Sequence, residues 1–107
     1  MIGAATELLH AFARSDLATI RRLCAEDVLL VGTDQGEHWQ GRDAVLAAFS
    51  RAFDLAVRWT GEPVAADDWL FGTCVFTDHQ SDAEQQTRVT MVFQDGLLAH
   101  AHYSVAQ

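Results

Sequence analysis

The stretch TRVTMVFQDGLLAHAHYSV, residues 87–105, decides how the second half of this chain folds. Valine and an aromatic residue occur in each of its arms, and Asp95-Gly96 separates the arms. Because glycine accepts a positive φ without steric cost, Asp-Gly between two such arms is typical of a two-residue hairpin turn. The sequence therefore predicts antiparallel strands over 87–94 and 97–105.

Two further strand-like runs precede this hairpin. They cover residues 57–66 and 69–77 and show no helical period, and Asp67-Asp68 between them indicates a turn. A tight turn at that point sets Trp59 opposite Phe76. The second half of the chain is therefore predicted to be a meander of strands.

The first half of the chain shows helical spacing instead. Apolar residues recur at intervals of three and four over 4–13 and 17–27, and Asp16 is placed to cap the second of these helices. The β-rich run 28–31 predicts a short buried strand. A third helix is expected over 43–55, where the apolar spacing returns.

Helices followed by a meander of strands predict an α+β fold, with the helices on one face of a mostly antiparallel sheet. A chain of 107 residues is long enough for one core and too short for two, so a single domain over 1–107 is expected. Residues 33–41 form a turn-rich connection in this scheme. The helical residues expected beneath the sheet are Phe12, Leu23, Leu46, Phe49 and Phe53.

The composition argues against several classes of partner and site. Seven arginines, no lysine and fifteen acids give a formal net charge of -8, which repels nucleic-acid phosphates and anionic lipids. We therefore expect no nucleic-acid and no membrane partner. The N-terminal segment lacks the pattern of a secretion signal, so a cytoplasmic location is expected. Cys24 and Cys74 form no CxxC pattern and are expected to be reduced packing residues, with no metal and no cofactor.

Four short strings, spread over nearly the whole chain, resemble the nuclear transport factor 2-like superfamily, also called SnoaL-like or cystatin-like. They are Asp16-Leu17-Ala18, Cys24-Ala25-Glu26-Asp27-Val28, Gly41-Arg42-Asp43-Ala44-Val45 and His100-Ala101-His102-Tyr103-Ser104. The last string also resembles the final strand of the association domain of calcium/calmodulin-dependent kinase II. The resemblance implies a strongly curved sheet wrapped over the helices as a cone, an internal pocket, and homodimers formed through the outer sheet face.

The same resemblance implies that the Tyr103 side of the last strand faces the interior of the cone. A regular hairpin at Asp95-Gly96 then sets Thr90 opposite Ala101 and Arg88 opposite Tyr103, all on this inner face. The residues expected to line the pocket and bind a small molecule are Trp39, Trp59, Cys74, Phe76, Arg88, Thr90 and Tyr103.

Arg88 has two interpretations at this stage. A guanidinium on an apolar inner face needs an anionic partner to offset its desolvation, and that partner is either a ligand or an internal acid such as Asp34 or Asp78. Alternatively, Arg88 lies at a strand end and reaches solvent.

The opposite face of the hairpin collects apolar residues and two histidines. Apolar residues on an outer sheet face mark an interface, so a homodimer through this face is expected. The histidines are not expected to bind a metal, because no third ligand is reliably placed beside them. The expected interface residues are Trp69, Phe71, Met91, Phe93, His100 and His102.

Two classes of function remain open. The first is a cofactor-independent lyase, isomerase or cyclase acting on a small, partly apolar carbonyl or carboxylate compound, with Asp34 as the base and Tyr103 or Arg88 as the electrophilic group. The catalytic pattern of ketosteroid isomerases is absent, since Val92 stands where that family has an acid and Gly32 or Thr33 stands where it has the base. The alternative is a non-catalytic association or dimerisation module.

Overall fold

The structure is a computed structural model that describes residues 3–33, 36–52, 56–66, 68–78 and 80–105. Three helices occupy the first half: α1 (Gly3–Ala13), α2 (Leu17–Leu23) and α3 (Arg42–Ala52). The strands are β1 (Cys24–Val31), β2 (His38–Gln40), β3 (Ala56–Trp59), β4 (Val64–Ala65), β5 (Trp69–Thr77), β6 (Glu84–Gln94) and β7 (Leu97–Val105). The predicted α+β fold, with three helices in the first half of the chain packed on a mostly antiparallel sheet, is confirmed.

Helix α2 begins at the cap that the sequence predicts and ends earlier than expected. Asp16 accepts hydrogen bonds from the backbone N of Thr19 at 3.2 Å and from its Oγ1 at 2.7 Å, and these bonds hold the pKa of the Asp16 carboxyl below its usual value. The helix ends at Leu23, because Cys24 is extended and pairs with Leu98 of β7. The predicted continuation of the helix to 27 was therefore wrong, since pairing with β7 outweighs local helical spacing.

The strands form one sheet in the order β2-β1-β7-β6-β5-β3, and β4 also pairs with β5. Every pair is antiparallel except β1 with β7, which is parallel. Strand β2 lies in the segment predicted to be a turn-rich connection, and it pairs with β1 through Leu30 and Trp39. Three residues are too few for a recognisable period, which is why the sequence did not indicate this strand.

The hairpin of β6 and β7 contains a β-bulge that the sequence did not predict. The turn at Asp95-Gly96 pairs Phe93 with Leu98 as expected, but the next pair is Val92 with His100. Ala99 is therefore the extra residue of the bulge. Beyond it the partners of β7 are displaced by one residue along β6.

This displacement exchanges the two faces of β6 relative to the prediction. Val89 pairs with Tyr103, and Arg88 pairs with Ser104, so the predicted pair of Arg88 with Tyr103 was wrong. Arg88 is exposed on the outer face. Because side chains alternate along a strand, one inserted residue is enough to reverse which set is buried.

Met91 and Phe93 accordingly belong to the core and not to an outer interface. They are 4% and 3% exposed and pack in one cluster with helical residues such as Leu8 and Phe49. Their predicted role in a dimer contact was therefore wrong, because the bulge turns the odd-numbered residues of β6 toward the helices.

The register of β3 also differs from the prediction by two residues. Trp59 lies opposite Cys74 rather than Phe76. Strand β4 keeps the register of a turn at 67–68, with Val64 opposite Phe71, so the two-residue displacement arises within 60–63. An even displacement leaves Trp59 on the inner face, as expected.

The core lies between the three helices and the inner face of the sheet. Of the expected core residues, Leu23, Leu46 and Phe49 are buried, and Phe12 is half-buried with its ring edge-on to Phe49 at 5.0 Å between centroids. Phe53 lies outside the described residues. No helix in the described part of the chain is long and apolar enough to cross a membrane.

We predict that the two faces of β6 respond differently to truncation. Phe93→Ala should lower the free energy of unfolding by about 3 to 5 kcal/mol, because it leaves a cavity in the core. Arg88→Ala should change it by less than about 0.5 kcal/mol, since Arg88 is exposed. Urea unfolding followed by tryptophan fluorescence measures both values, and a larger loss for Arg88→Ala than for Phe93→Ala would contradict the bulged register.

Candidate functional site

A cavity of about 530 Å³ lies between the helices and the inner face of the sheet. Most of its wall is apolar, and its polar residues are Ser15, Glu37, Arg51, Cys74, His102 and Tyr103. The apolar and aromatic wall is formed by Phe12, Leu30, Trp39, Phe49, Trp59, Phe76, Val89, Met91 and Ala101, among others.

The polar centre of the cavity is a hydrogen bond from the Tyr103 hydroxyl to Oε2 of Glu37. Both side chains are half-buried. Glu37 precedes β2, where the Gly32 backbone N donates to the Glu37 carbonyl oxygen at 2.7 Å and continues the pairing of β1 with β2. Because Glu37 and Trp39 are two residues apart, both face the cavity.

Gly32 makes room for this hydrogen bond. A Cβ at Gly32 would lie 2.5 Å from Cζ and from the hydroxyl oxygen of Tyr103, and 2.7 Å from Oε2 of Glu37. The Tyr103 ring therefore crosses directly over the backbone of β1 to reach Glu37. The next residue, Thr33, links this segment to the end of β7, because its Oγ1 accepts a hydrogen bond from the Val105 backbone N at 2.7 Å.

A second glycine, on the same inner face but nearer the other edge of the sheet, is covered by an aromatic ring in the same way. Gly72 of β5 lies under the ring of Trp59, and a Cβ there would lie 2.6 Å from Cζ3 of that ring. Gly72 pairs with Val89, which in turn pairs with Tyr103. One row across the inner face thus carries a glycine near each end, and an aromatic ring lies over each glycine.

Arg51 lies at the opening of the cavity. It is exposed, and its guanidinium carbon lies 6.0 Å from the centroid of the Trp39 ring, which is within the range of a cation–π contact. Arg51 itself remains in water.

The Cys74 thiol faces the cavity but is not activated. Burial raises its pKa to about 11, and burial does the same for Cys24. Both thiols are therefore protonated near neutral pH and react slowly. Their expected role as reduced packing residues agrees with this, since both are free and buried.

The structure brings five of the seven expected ligand-binding residues to the cavity wall: Trp39, Trp59, Cys74, Phe76 and Tyr103. Arg88 and Thr90 lie on the outer face and are not among the described residues that line the cavity. The expected base, Asp34, lies outside the described residues. That any of these residues binds a ligand stays a prediction.

Glu37 is the site residue that sequence reasoning missed. The available signal was its spacing from Trp39, which places both on one face of a strand, but the strand was not recognised. Within the described residues no three His, Cys, Asp or Glu side chains are grouped to hold a metal ion. His100 and His102 are exposed.

Comparison with known proteins identifies the fold family. The model of the SnoaL-like domain matches residues 3–106, which is nearly the whole chain. The chain belongs to the SnoaL-like family. A search of curated proteins gives no match to this SnoaL-like domain.

Solved structures share the fold of this SnoaL-like domain at low sequence identity. An NTF2-like protein of unknown function from Mesorhizobium loti has a TM-score of 0.86 at 19% identity, covering 98% of this chain and 89% of that one. A protein with a cystatin-like fold from Silicibacter pomeroyi DSS-3 has 0.85 at 16%, covering 100% and 76%. A steroid delta-isomerase from Pseudomonas aeruginosa has 0.83 at 14%, covering 98% and 78%. At these identities the comparisons establish the shared fold.

We predict that Gly32→Ala destabilises the SnoaL-like domain through Tyr103. A methyl group at this position overlaps the rigid Tyr103 ring, and such overpacking costs about 1 to 3 kcal/mol. In a Tyr103→Ala background the same change should cost much less, because the Glu37 side chain can move away. Thermal unfolding of the four proteins in this double-mutant cycle measures the coupling. Equal costs in the two backgrounds would show that the Tyr103 ring does not lie over Gly32.

Proposed function

We propose that this SnoaL-like domain binds a small, largely apolar molecule in the cavity between its helices and sheet. The observation that carries the proposal is the Glu37–Tyr103 hydrogen bond placed in an otherwise mainly apolar wall. An apolar cavity of this size with a few convergent polar groups is typical of small-molecule sites.

The shape of the wall supports the proposal. Gly32 and Gly72 carry no side chains, and the space above them is used by the rings of Tyr103 and Trp59 rather than by aliphatic packing. Aromatic walls offer large contact areas to an apolar ligand. Burial of that ligand surface would contribute about 25 cal/mol for each Å² removed from water.

A second candidate function is proton transfer on the bound molecule, in a cofactor-independent lyase, isomerase or cyclase. The observation that favours it is the carboxyl group of Glu37 in the cavity, which is a candidate base in addition to Asp34. Such chemistry also needs a donor at the developing oxyanion. The Tyr103 hydroxyl donates its one hydrogen bond to Glu37, so this pair supplies a base without that donor. Binding without isomerisation therefore fits the pair better.

The binding proposal predicts that a cavity ligand slows the alkylation of Cys74 more than that of Cys24. Both thiols are buried with pKa values of about 11, but of the two only Cys74 lines the cavity, so Cys24 is an internal control. Ligands selected by thermal shift from apolar amines, alcohols, ketones and carboxylates are added, and iodoacetamide labelling of each thiol is followed by mass spectrometry. Every stabilising ligand slows both thiols through global stability. A stabilising ligand that slows Cys24 more than Cys74 would count against the cavity as its site.

We propose in addition that the outer sheet face forms a homodimer. Trp69 and Phe71 are 39% and 41% exposed, and the exposed Val64 is the strand-pairing partner of Phe71. His100 and His102 lie on the same face, because they pair with Val92 and Thr90, the respective partners of Trp69 and Phe71. Exposed apolar groups clustered in this way are typical of an interface.

The dimer proposal predicts that the chain sediments as a dimer at tens of micromolar, a concentration that populates associations of micromolar Kd. Trp69→Glu should produce a monomer, because it introduces a charge at the centre of the apolar face. Leu17→Glu is the matched control, since Leu17 is 38% exposed but lies on helix α2. A wild-type chain that sediments as a monomer would overturn the proposal.

A further inference from the structure

The opening of the cavity is marked by the wall residues that are also exposed. On the helical side these are Ala13 and Ser15, at and just after the end of α1, and Arg51, in the last turn of α3. A residue that contacts both the cavity and bulk water lies where the two meet. A ligand that enters past these helix ends therefore meets the Arg51 guanidinium.

Arg51 is the one arginine among the described residues that line the cavity. Its guanidinium carbon lies 6.0 Å from the centroid of the Trp39 ring, and Trp39 is itself a wall residue, so the charge lies close to the wall. In the described part of the chain no carboxylate lies within ion-pair distance of Arg51. Four other arginines each have such an acid partner: Arg14, Arg21, Arg22 and Arg58.

The chemistry of a guanidinium limits which ligand group it can hold. It is permanently charged and offers only donors, five N–H groups in a planar fork. A carboxylate matches this fork, because its two oxygens can accept two parallel hydrogen bonds. A doubly charged group is disfavoured, since the whole chain carries a formal net charge of -8 and repels a dianion more than a monoanion. A single carboxylate is therefore the best match to Arg51.

We infer that the molecule bound in this cavity is an apolar acid, with its carboxylate beside Arg51 at the opening and its apolar body inside. The inference rests on the proposed binding function and adds the chemical class of the ligand. At the opening the carboxylate keeps much of its hydration, so its desolvation costs little. The apolar body is removed from water by the aromatic wall, and this burial supplies most of the affinity. Arg51 supplies the selectivity among apolar compounds.

The test compares a carboxylate with its primary amide, which has nearly the same shape and no charge. On an adamantyl and on an n-octyl skeleton, both compounds are titrated by isothermal titration calorimetry at neutral pH and about 0.1 M ionic strength, where the Debye length of about 10 Å exceeds the length of a direct contact. The acid should bind about two- to fivefold more tightly than the amide, the range expected of an exposed ion pair. The preference should decrease at about 1 M ionic strength, where the Debye length is about 3 Å.

Two changes at Arg51 locate the selectivity. Arg51→Gln should abolish the preference for the acid, because the side chain keeps hydrogen-bond donors and loses the charge. Arg51→Glu should reverse it, so that the amide binds more tightly than the acid. Arg88→Gln is the matched control and should keep the wild-type preference, since Arg88 is also exposed but lies on the outer face. Thermal unfolding checks the fold of each variant, and exposed positions such as these tolerate substitution.

The outcomes separate this inference from the proposed function. Amide binding that equals or exceeds acid binding in the wild-type protein, together with preferential protection of Cys74, would overturn the acid inference and leave the cavity as a binding site. An acid preference that survives Arg51→Gln would also overturn it, since the carboxylate would then be held elsewhere. Failure of both acids to bind, while another screened ligand protects Cys74, would do the same. Failure of every compound to bind, with no protection of Cys74, would count against the cavity function itself.

Discussion

The β-bulge at Ala99 is the constraint on which the rest of the sheet depends. The segment that ends in Tyr103 keeps its inward side chains only if β6 presents Val89 and Met91 beside them. Without the extra residue, the turn would place Arg88 beside Tyr103 and bury a guanidinium in an apolar wall, which is costly. The bulge avoids this cost by displacing the register one residue, and a single residue is the smallest displacement that exchanges the faces of a strand.

The shape of the cavity depends on two glycines of the inner face, which lack side chains, as well as on the aromatic rings that lie over them. Gly32 and Gly72 lie in the row of the sheet that also contains Tyr103 and Val89, and each allows a neighbouring ring to approach the backbone closely. A larger side chain at either glycine would displace the ring that lies over it. The positions of the rings, and with them the location of the Glu37–Tyr103 pair, thus follow from two missing side chains.

The same fold at 14% to 19% identity shows why the site must be argued from its own residues. Packing between helices and sheet requires apolar residues at alternating positions, and many combinations satisfy that requirement. The polar groups in the cavity face no such packing requirement. In this chain the acid is Glu37, directly before the edge strand β2, and the Tyr103 hydroxyl donates a hydrogen bond to it.

Local sequence determined the helices, the Asp16 cap and the hairpin turn at Asp95-Gly96, because each of these depends on residues close together in the chain. Tertiary structure alone decided the bulge at Ala99, the short strand β2 and the early end of α2, since all three arise from pairing between distant segments. Those pairings set which residues of β6 face inward, and they set the position of Glu37 in the cavity wall. The sequence therefore indicated a cavity with Tyr103 in its wall, whereas only the folded chain placed Glu37 beside that tyrosine and Arg88 outside.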